Sequence, residues 1–156
     1  MPVAPHIARL REKVGHDLLL LPSVAVLPTD DEGRVLLVRQ TDFEVYATIG
    51  GAIDEDEDPA DAARREAKEE TGLDVELTGL LGVIGGPQFR VIYPNGDRVA
   101  YVSAVYAARI AGSAPLAVDG DEVDAAKWFA RSELTSPDVG EFALNTFRAI
   151  GWLAEA

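Results

Sequence analysis

The spacing of apolar residues along the chain predicts a helix near each end and a third helix in the middle. Apolar positions recur at intervals of three to four residues over 6–16 and again over 141–153, which is typical of amphipathic helices. The central helix has clear boundary residues, because Asp58 is a suitable N-cap, Pro59 fits the first turn and Gly72 ends the helix. We therefore expect a helix between Asp58 and Gly72.

The remaining apolar runs are short and are bounded by residues that favour turns, as strands are. Strands are predicted over residues 23–27, 34–40, 46–49, 77–83, 89–93, 98–110 and 125–129. An acidic turn separates the first two, which we expect to pair as a hairpin, and Asn95-Gly96 is a typical hairpin turn between two later strands. Together with the helices, these hairpins predict an α/β fold, a mixed sandwich in a single domain spanning residues 1–156.

The charge balance is strongly acidic and excludes one large class of function. The chain carries 14 Lys and Arg against 27 Asp and Glu, a formal net charge of −13. It has no basic cluster that could neutralise nucleic-acid phosphates, so a nucleic-acid-binding protein is not expected.

The sequence also bears on the location of the protein. The chain has no apolar run long enough to cross a membrane, and its first residues lack the apolar core of a secretory signal. Because it also has no cysteine, disulfides, thiolate metal sites and a cysteine nucleophile are excluded, and we expect a cytoplasmic protein.

The acidic residues are not spread evenly, and a dense group surrounds the central helix. Glu66, Glu69 and Glu70 are spaced so that all three carboxylates lie on one side of that helix, where they repel one another. An ordinary solvated face explains such a pattern in most glutamate-rich helices. Here, however, Gly50-Gly51 and the acidic run 54–58 add a tight turn and further carboxylates. Because carboxylate and carbonyl oxygens are hard ligands that favour Mg²⁺ or Mn²⁺, we interpret the cluster as a candidate metal site.

The segment from Gly51 to Leu73, GAIDEDEDPADAARREAKEETGL, resembles the Nudix box, G-x5-E-x7-R-E-U-x-E-E-x-G-U, where U is a bulky apolar residue. All seven fixed positions match, and they are Gly51, Glu57, Arg65, Glu66, Glu69, Glu70 and Gly72. Ala67 replaces the bulkier residue that is usual at the first U position. The resemblance covers about residues 20–135 and leaves an N-terminal segment and a C-terminal helix outside it. It implies a Nudix-type mixed β-sheet sandwiched between helices.

The resemblance also implies an activity and the residues that carry it. Nudix enzymes are pyrophosphohydrolases that cleave a diphosphate linkage in a nucleoside diphosphate joined to another group, with Mg²⁺ or Mn²⁺ as cofactor. By resemblance, the metal is held by Glu66, Glu69 and Glu70, and the catalytic candidates are Glu66, Glu69 and Arg65. Arg65 is expected to hold Glu57 or Glu66 through a bidentate ion pair.

Residues outside the box complete the candidate site. Glu122 precedes Trp128 at a spacing that makes it a candidate further metal ligand or base, although an acidic surface loop explains it equally well. Arg39 and Arg90 are the candidates for binding substrate phosphates, with solvated strand-end charges as the alternative. The aromatic residues that could stack on a nucleobase are Tyr46, Phe89, Tyr93 and Tyr101.

The complete box favours an enzyme over the second possibility, a non-catalytic Nudix-like nucleotide-binding or regulatory domain. A third possibility is an isomerase of isoprenyl diphosphates, which shares the fold. That branch resembles a cysteine-using enzyme, and because this chain has no cysteine, we exclude the isomerase activity. The sequence does not distinguish between two classes of substrate, which are nucleoside triphosphates and nucleotide sugars such as ADP-ribose. The apolar residues at both chain ends predict a homodimer in which an end segment packs on the partner, unless both ends fold back on their own subunit.

Overall fold

Two β-sheets and three α-helices form the fold in the computed structural model, which describes residues 3–155. The helices are α1 (Pro5–Val14), α2 (Pro59–Thr71) and α3 (Glu141–Ala149). The strands are β1 (Leu19–Pro28), β2 (Val35–Gln40), β3 (Val45–Ala47), β4 (Ile49–Ala52), β5 (Asp74–Ile84), β6 (Arg90–Ile92), β7 (Arg98–Ala111) and β8 (Val123–Phe129). Short 3₁₀ turns at Pro87–Phe89 and Arg131–Glu133 follow β5 and β8.

The first sheet has the strand order β4-β1-β7-β5, with β6 also pairing with β7, and the second sheet has the order β3-β2-β8. Strands β1 and β7 run parallel, whereas the other strand pairs of the described chain are antiparallel. A parallel pair needs a long crossover connection, and α2 lies within the segment that connects β1 to β7. The mixed α/β architecture predicted from the sequence is therefore confirmed.

The predicted hairpin between the first two strands is wrong, because β1 and β2 belong to different sheets. A bridge between Thr29 and Val35 joins only their ends. The physical reason is burial, since the side chains of 24–27 and 35–38 are at most 2% exposed on both strand faces. Strands that are apolar on both faces need cover on both sides, which two packed sheets and a helix provide. The strand predicted over 46–49 divides in the same way into β3 of the second sheet and β4 of the first.

Helix α2 begins and ends where the sequence predicts. Asp58 caps it by accepting a hydrogen bond from the Ala60 amide at 2.8 Å, and Gly72 ends it in the left-handed conformation with a φ of 72°. The apolar residues that α2 buries in the core beside the first sheet are all small, namely Ala62, Ala63 and Ala67. Alanine at these positions lets the helix approach the strands closely, which explains why the box tolerates Ala67 in place of a bulkier residue.

The two chain ends pack differently. In α3, Ala143 and Phe147 are buried in the core of their own subunit, and Trp152 stacks on Phe147. The predicted closing helix therefore folds back on its own chain. In α1, Ile7 is buried whereas Leu10 is 40% exposed. Within residues 3–155, every helix is too short or too polar to cross a membrane.

Candidate active site

Two adjacent glycines in β4 let this strand lie close to both β1 and helix α2. Gly50 and Gly51 pair with Ala25 and Val24 of β1, and a Cβ atom on Gly50 would overlap the carbonyl oxygen of Val24. The amide of Gly50 donates a hydrogen bond to Glu70 Oε2 at 3.2 Å. The beginning of β4 is therefore joined directly to the acidic side of α2.

Arg65 connects the acidic residues of the box in one network. Its Nε and Nη2 donate to the two carboxylate oxygens of Glu57 at 2.8 and 2.9 Å, which is the bidentate pair expected from the sequence. Its Nη1 donates to Glu66 Oε1 at 3.0 Å and to Glu69 Oε2 at 3.2 Å, and its Nη2 also donates to the carbonyl of Ala52 at 3.1 Å. The hydrogen bonds between Arg65 and Glu57 raise the pKa of the guanidinium and lower the pKa of the carboxyl, so both groups stay charged.

Glu66 and Glu70 are buried carboxylates, 1% and 5% exposed. Burial raises the pKa of Glu66 to about 7, and burial together with the charge of Glu66 raises the pKa of Glu70 well above its ordinary value. Glu66 Oε2 is buried and accepts no hydrogen bond from any described residue. Because an uncompensated buried carboxylate oxygen is costly, this atom marks a place where a cation would stabilise the protein.

Glu122 lies in the loop before β8 and belongs to the same acidic neighbourhood. Burial raises its pKa to about 7, and its own charge contributes to the raised pKa values of Glu66 and Glu70. Its backbone carbonyl accepts a hydrogen bond from the Thr41 amide at 2.9 Å, which fixes the loop against the end of β2. In the part of the chain that the structure describes, no group of three or more acidic, histidine or cysteine side chains is already arranged to hold a metal ion.

A cleft of about 500 Å³ opens beside the glycines of β4 and is lined by both sheets and the start of α3. We call one side of it the aromatic wall, which consists of Phe43, Tyr93, Tyr101 and Phe142. The ring centroids of Phe43 and Tyr93 are 5.7 Å apart, and those of Tyr101 and Phe142 are 6.0 Å apart. The hydroxyl groups of Tyr93 and Tyr101 share a hydrogen bond of 2.5 Å, which joins the two pairs. The wall is therefore one connected surface beside the acidic centre.

The structure separates the two arginines that were predicted to bind phosphates. Arg90 lines the cleft, and its side chain makes no hydrogen bond or ion pair with any described residue. Arg39 is not among the described residues that line the cleft, and its Nη1 donates to Asp124 Oδ2 at 2.6 Å. Both roles stay predictions, but the geometry gives Arg90 access to a ligand and gives Arg39 a partner of its own.

The aromatic candidates also divide. Tyr93 and Tyr101 lie in the aromatic wall, whereas Phe89 is 1% exposed in the core and Tyr46 packs edge-on against Phe129. The sequence interpretation missed two residues of the wall, Phe43 and Phe142. Phe43 could have been found, because an aromatic side chain is unusual in the polar turn after β2. Phe142 could not, because nothing in the sequence separates it from the residues of α3 that pack in the core.

Comparison with known proteins agrees with this geometry. A family model described as NUDIX domain matches residues 19–150. The chain is 28% identical over 128 residues to a MutT-like protein of Streptomyces ambofaciens, covering 82% of this chain and 75% of that protein. It is 37% identical over 65 residues to an RNA pyrophosphohydrolase of Pseudomonas fluorescens strain SBW25, covering 42% of this chain and 41% of that protein. A crystal structure of a MutT NUDIX hydrolase from Burkholderia pseudomallei superposes with a TM-score of 0.68 at 26% identity, covering 87% of this chain and 99% of that one.

The matched residues contain both sheets, helices α2 and α3, and the complete box. The sequence resemblance, the fold and the comparisons therefore lead to the same family. The chain belongs to the NUDIX family of hydrolases.

Proposed function

We propose that this protein hydrolyses the diphosphate linkage of a nucleoside diphosphate derivative with the help of a bound divalent cation, Mg²⁺ or Mn²⁺. The observation that carries the proposal is the buried pair Glu66 and Glu70, held by a complete box beside a cleft with an aromatic wall. Two carboxylates buried side by side cost free energy, and a purely structural role would be filled better by apolar residues. A cation offsets that cost.

The available donor atoms fit a hard divalent cation. Glu66 Oε2 is buried and has no hydrogen-bond donor among the described residues, and Glu70 Oε2 accepts one amide at 3.2 Å. Glu69 and Glu122 add carboxylates from the same helix and from the loop before β8, and all of these oxygens are of the kind that Mg²⁺ and Mn²⁺ prefer. We therefore assign Glu66, Glu69, Glu70 and Glu122 as the ligand candidates.

The residues around the proposed cation site would have different roles in hydrolysis. A bound cation would neutralise the diphosphate charge and align the attacking water. Arg65 keeps Glu57, Glu66 and Glu69 in fixed positions through its four hydrogen bonds to them. We infer that Glu69, whose side chain is 51% exposed, accepts the proton of water, with Glu66 as the other catalytic candidate. The water oxygen bonds to one phosphorus, and the bond from that phosphorus to the bridging oxygen breaks.

The cleft supplies a place for the nucleoside end of the substrate. Aromatic side chains stack readily on nucleobases, and Arg90 on the cleft wall can pair with a phosphate. Nucleotide sugars such as ADP-ribose and nucleoside triphosphates both combine a base with a diphosphate. The similarity to a relative named RNA pyrophosphohydrolase makes a phosphorylated RNA end a further substrate to test.

A substrate screen with matched variants tests the proposal. The protein is incubated with ADP-ribose, with each nucleoside triphosphate and with a short 5′-triphosphorylated RNA, in Mg²⁺ or in excess EDTA. Phosphate and pyrophosphate are measured separately, and ADP-ribose products are detected after phosphatase treatment. We expect hydrolysis of at least one substrate in Mg²⁺ only, and a loss of turnover of at least about 100-fold in E70Q.

E76Q is the matched control, because Glu76 is an exposed glutamate of β5 that pairs with Arg109. It should retain wild-type turnover. Equal turnover in E70Q and the wild type would show that hydrolysis does not use the carboxylate of Glu70, which contradicts the assigned site. No hydrolysis of any substrate would favour the non-catalytic nucleotide-binding domain instead.

We also propose that this single domain forms a symmetric homodimer. Leu20, Val83 and Ile92 are 71%, 66% and 68% exposed, and they pair with β7 positions 100, 104 and 98, which lie on one face of the sheet. A second copy related by a two-fold axis would cover this apolar face of the first sheet. Light scattering should give a mass near twice 16.7 kDa, and a mass near 16.7 kDa would contradict the dimer. A cytoplasmic location stays a prediction from the cysteine-free composition.

A further inference from the structure

Helix α1 lies outside residues 19–150, which the family model matches, yet it is packed against the same structure that carries the aromatic wall. Ile7 of α1 is buried in a small cluster with Leu21 and Val99. The wall residues Tyr93 and Tyr101 pack against this cluster. The N-terminal helix is therefore packed next to the wall.

Arg11 fastens α1 to the hairpin formed by β6 and β7. Its side chain is only 13% exposed, although arginine is usually a surface residue. Its Nη1 donates to the carbonyls of Gly15 and Asp17 at 3.0 and 2.6 Å, and its Nη2 donates to the carbonyl of Arg98 at 2.8 Å. Its Nε lies 3.5 Å from Asp97 Oδ1. One guanidinium thus joins the end of α1 to the start of β7.

Asp97, in the hairpin turn, contacts both Arg11 and His16 of the N-terminal segment. His16 Nδ1 lies 2.7 Å from Asp97 Oδ1, and Arg98 Nε donates back to the carbonyl of His16 at 3.2 Å. Contact with His16, followed by further contacts that include Arg11, lowers the pKa of Asp97, so its carboxylate stays charged at neutral pH. The turn is therefore attached to the N-terminal segment by several charged contacts.

The same turn determines where Tyr93 lies. The amide of Tyr93 donates to the carbonyl of Asp97 at 2.9 Å, which closes the turn. The Tyr93 hydroxyl bonds that of Tyr101, and its ring contacts Phe43 at the mouth of the cleft. A shift of Asp97 would therefore be transmitted through one turn to the aromatic wall of the cleft.

We propose that Arg11 is a positioning residue for substrate binding, because it holds the turn at Asp97 and thereby holds Tyr93 and Tyr101 as the surface on which the nucleoside end rests. The inference rests on the proposed function for its class of ligand, a nucleotide. Arg11 makes none of its described hydrogen bonds or ion pairs with the box carboxylates. Its loss therefore weakens binding of substrate and transition state alike, which raises KM and leaves kcat unchanged.

The test compares R11Q with K13Q, a variant of the same helix that loses the same charge. Lys13 is an exposed residue whose side chain makes no hydrogen bond or ion pair with the described residues. In the full-length chain, amide hydrogen exchange is measured over residues 93–101. Binding of AMP, GMP, CMP and UMP is measured by calorimetry, since none of them contains a diphosphate linkage. Steady-state kinetics use the substrate found in the screen.

In R11Q we expect faster exchange over the hairpin, nucleoside monophosphate binding weakened at least about fivefold, and a similar rise in KM with kcat changed by less than about twofold. K13Q should behave as the wild type. D97N weakens the same attachment from the hairpin side and should reproduce these results, which keeps the test decisive if R11Q does not fold.

Unchanged monophosphate binding and KM in R11Q and D97N would overturn the proposal. A fall in kcat at constant KM that follows the loss of thermal stability would show a merely structural role for Arg11, and this would also overturn the proposal. The proposal would likewise be overturned if the wild type bound none of the four monophosphates. If the wild type binds a monophosphate and R11Q weakens that binding while no diphosphate is hydrolysed, the proposed function fails and the positioning role stands.

Discussion

Gly51 and Glu66 are in direct contact, because a Cβ atom at position 51 would overlap Oε1 of the Glu66 carboxylate. The carboxylate has little freedom to retreat, since Glu66 is 1% exposed and its Oε1 accepts a hydrogen bond from Arg65. The first glycine of the box therefore determines how close the buried carboxylate lies to β4.

Replacing Gly51 with alanine should displace this carboxylate. We expect G51A to lose at least about tenfold in turnover and about 1–3 kcal/mol in the free energy of unfolding, because the added methyl group overpacks the contact. G79A is the matched control, since a Cβ atom on Gly79 of β5 would meet nothing within 4 Å. Turnover and urea unfolding are measured for both variants, and wild-type turnover in G51A would show that the contact does not set the position of Glu66.

The parts of the fold that depend on local chemistry could be predicted from the sequence. Asp58 and Gly72 mark the two ends of α2 because a side-chain cap and a left-handed glycine act within a few residues of the helix. The Asn95-Gly96 turn between β6 and β7 is a local signal of the same kind. The division of β1 and β2 between two sheets could not be predicted in this way, because strand pairing depends on residues far apart in the chain.

The candidate site shows the same limit. The helical spacing places Glu66, Glu69 and Glu70 on one side of α2, and this was evident from the sequence. Their very different exposure was not evident, because it depends on how closely β4 approaches the helix. Phe43 joins the site from another loop, so only the folded chain brings it beside Tyr93.

The ion pair between Glu57 and Arg65 should stabilise the protein in a pH-dependent way. Glu57 accepts two hydrogen bonds from Arg65 and one from the Asp54 amide, and the contact with Arg65 lowers its pKa from the ordinary 4.5. A group whose pKa is lowered by folding contributes stability that is complete above the ordinary pKa and is lost as the pH falls through the lowered one. We expect E57Q to lose about 1–3 kcal/mol at pH 7.

Urea unfolding of the wild type and E57Q across the acid range checks this prediction. The difference between the two proteins should shrink below about pH 4.5 as Glu57 becomes protonated in the wild type. E76Q, which removes one member of an exposed ion pair, should cost less than about 1 kcal/mol at any pH. A difference for E57Q that is as large in acid as at neutral pH would contradict the assigned ion pair.

Divalent cations should raise the melting temperature of the wild type. We expect millimolar affinity for Mg²⁺ or Mn²⁺, and a cation at ten times its dissociation constant stabilises by about 1.4 kcal/mol, or about 3–6 °C for a domain of this size. E70Q keeps the size of the side chain but removes an anionic ligand, so its melting temperature should respond much less. E76Q should respond as the wild type. A wild-type melting temperature that does not change on titration with either cation, with a substrate analogue present, would count against the metal site.

Arg90 and Arg39 should differ in their effects on substrate binding, although both were predicted to bind phosphates. Arg90 lines the cleft and has no described ion pair, whereas Arg39 is bound to Asp124. Because an unpaired guanidinium is available to an anionic ligand, we expect R90Q to raise KM at least about fivefold with kcat nearly unchanged. R39Q should leave both constants close to those of the wild type. Steady-state kinetics at two salt concentrations check the electrostatic origin, since salt screens an exposed charge and should reduce the difference between R90Q and the wild type. An equal rise in KM for both variants would mean that Arg39 leaves Asp124 to bind the substrate.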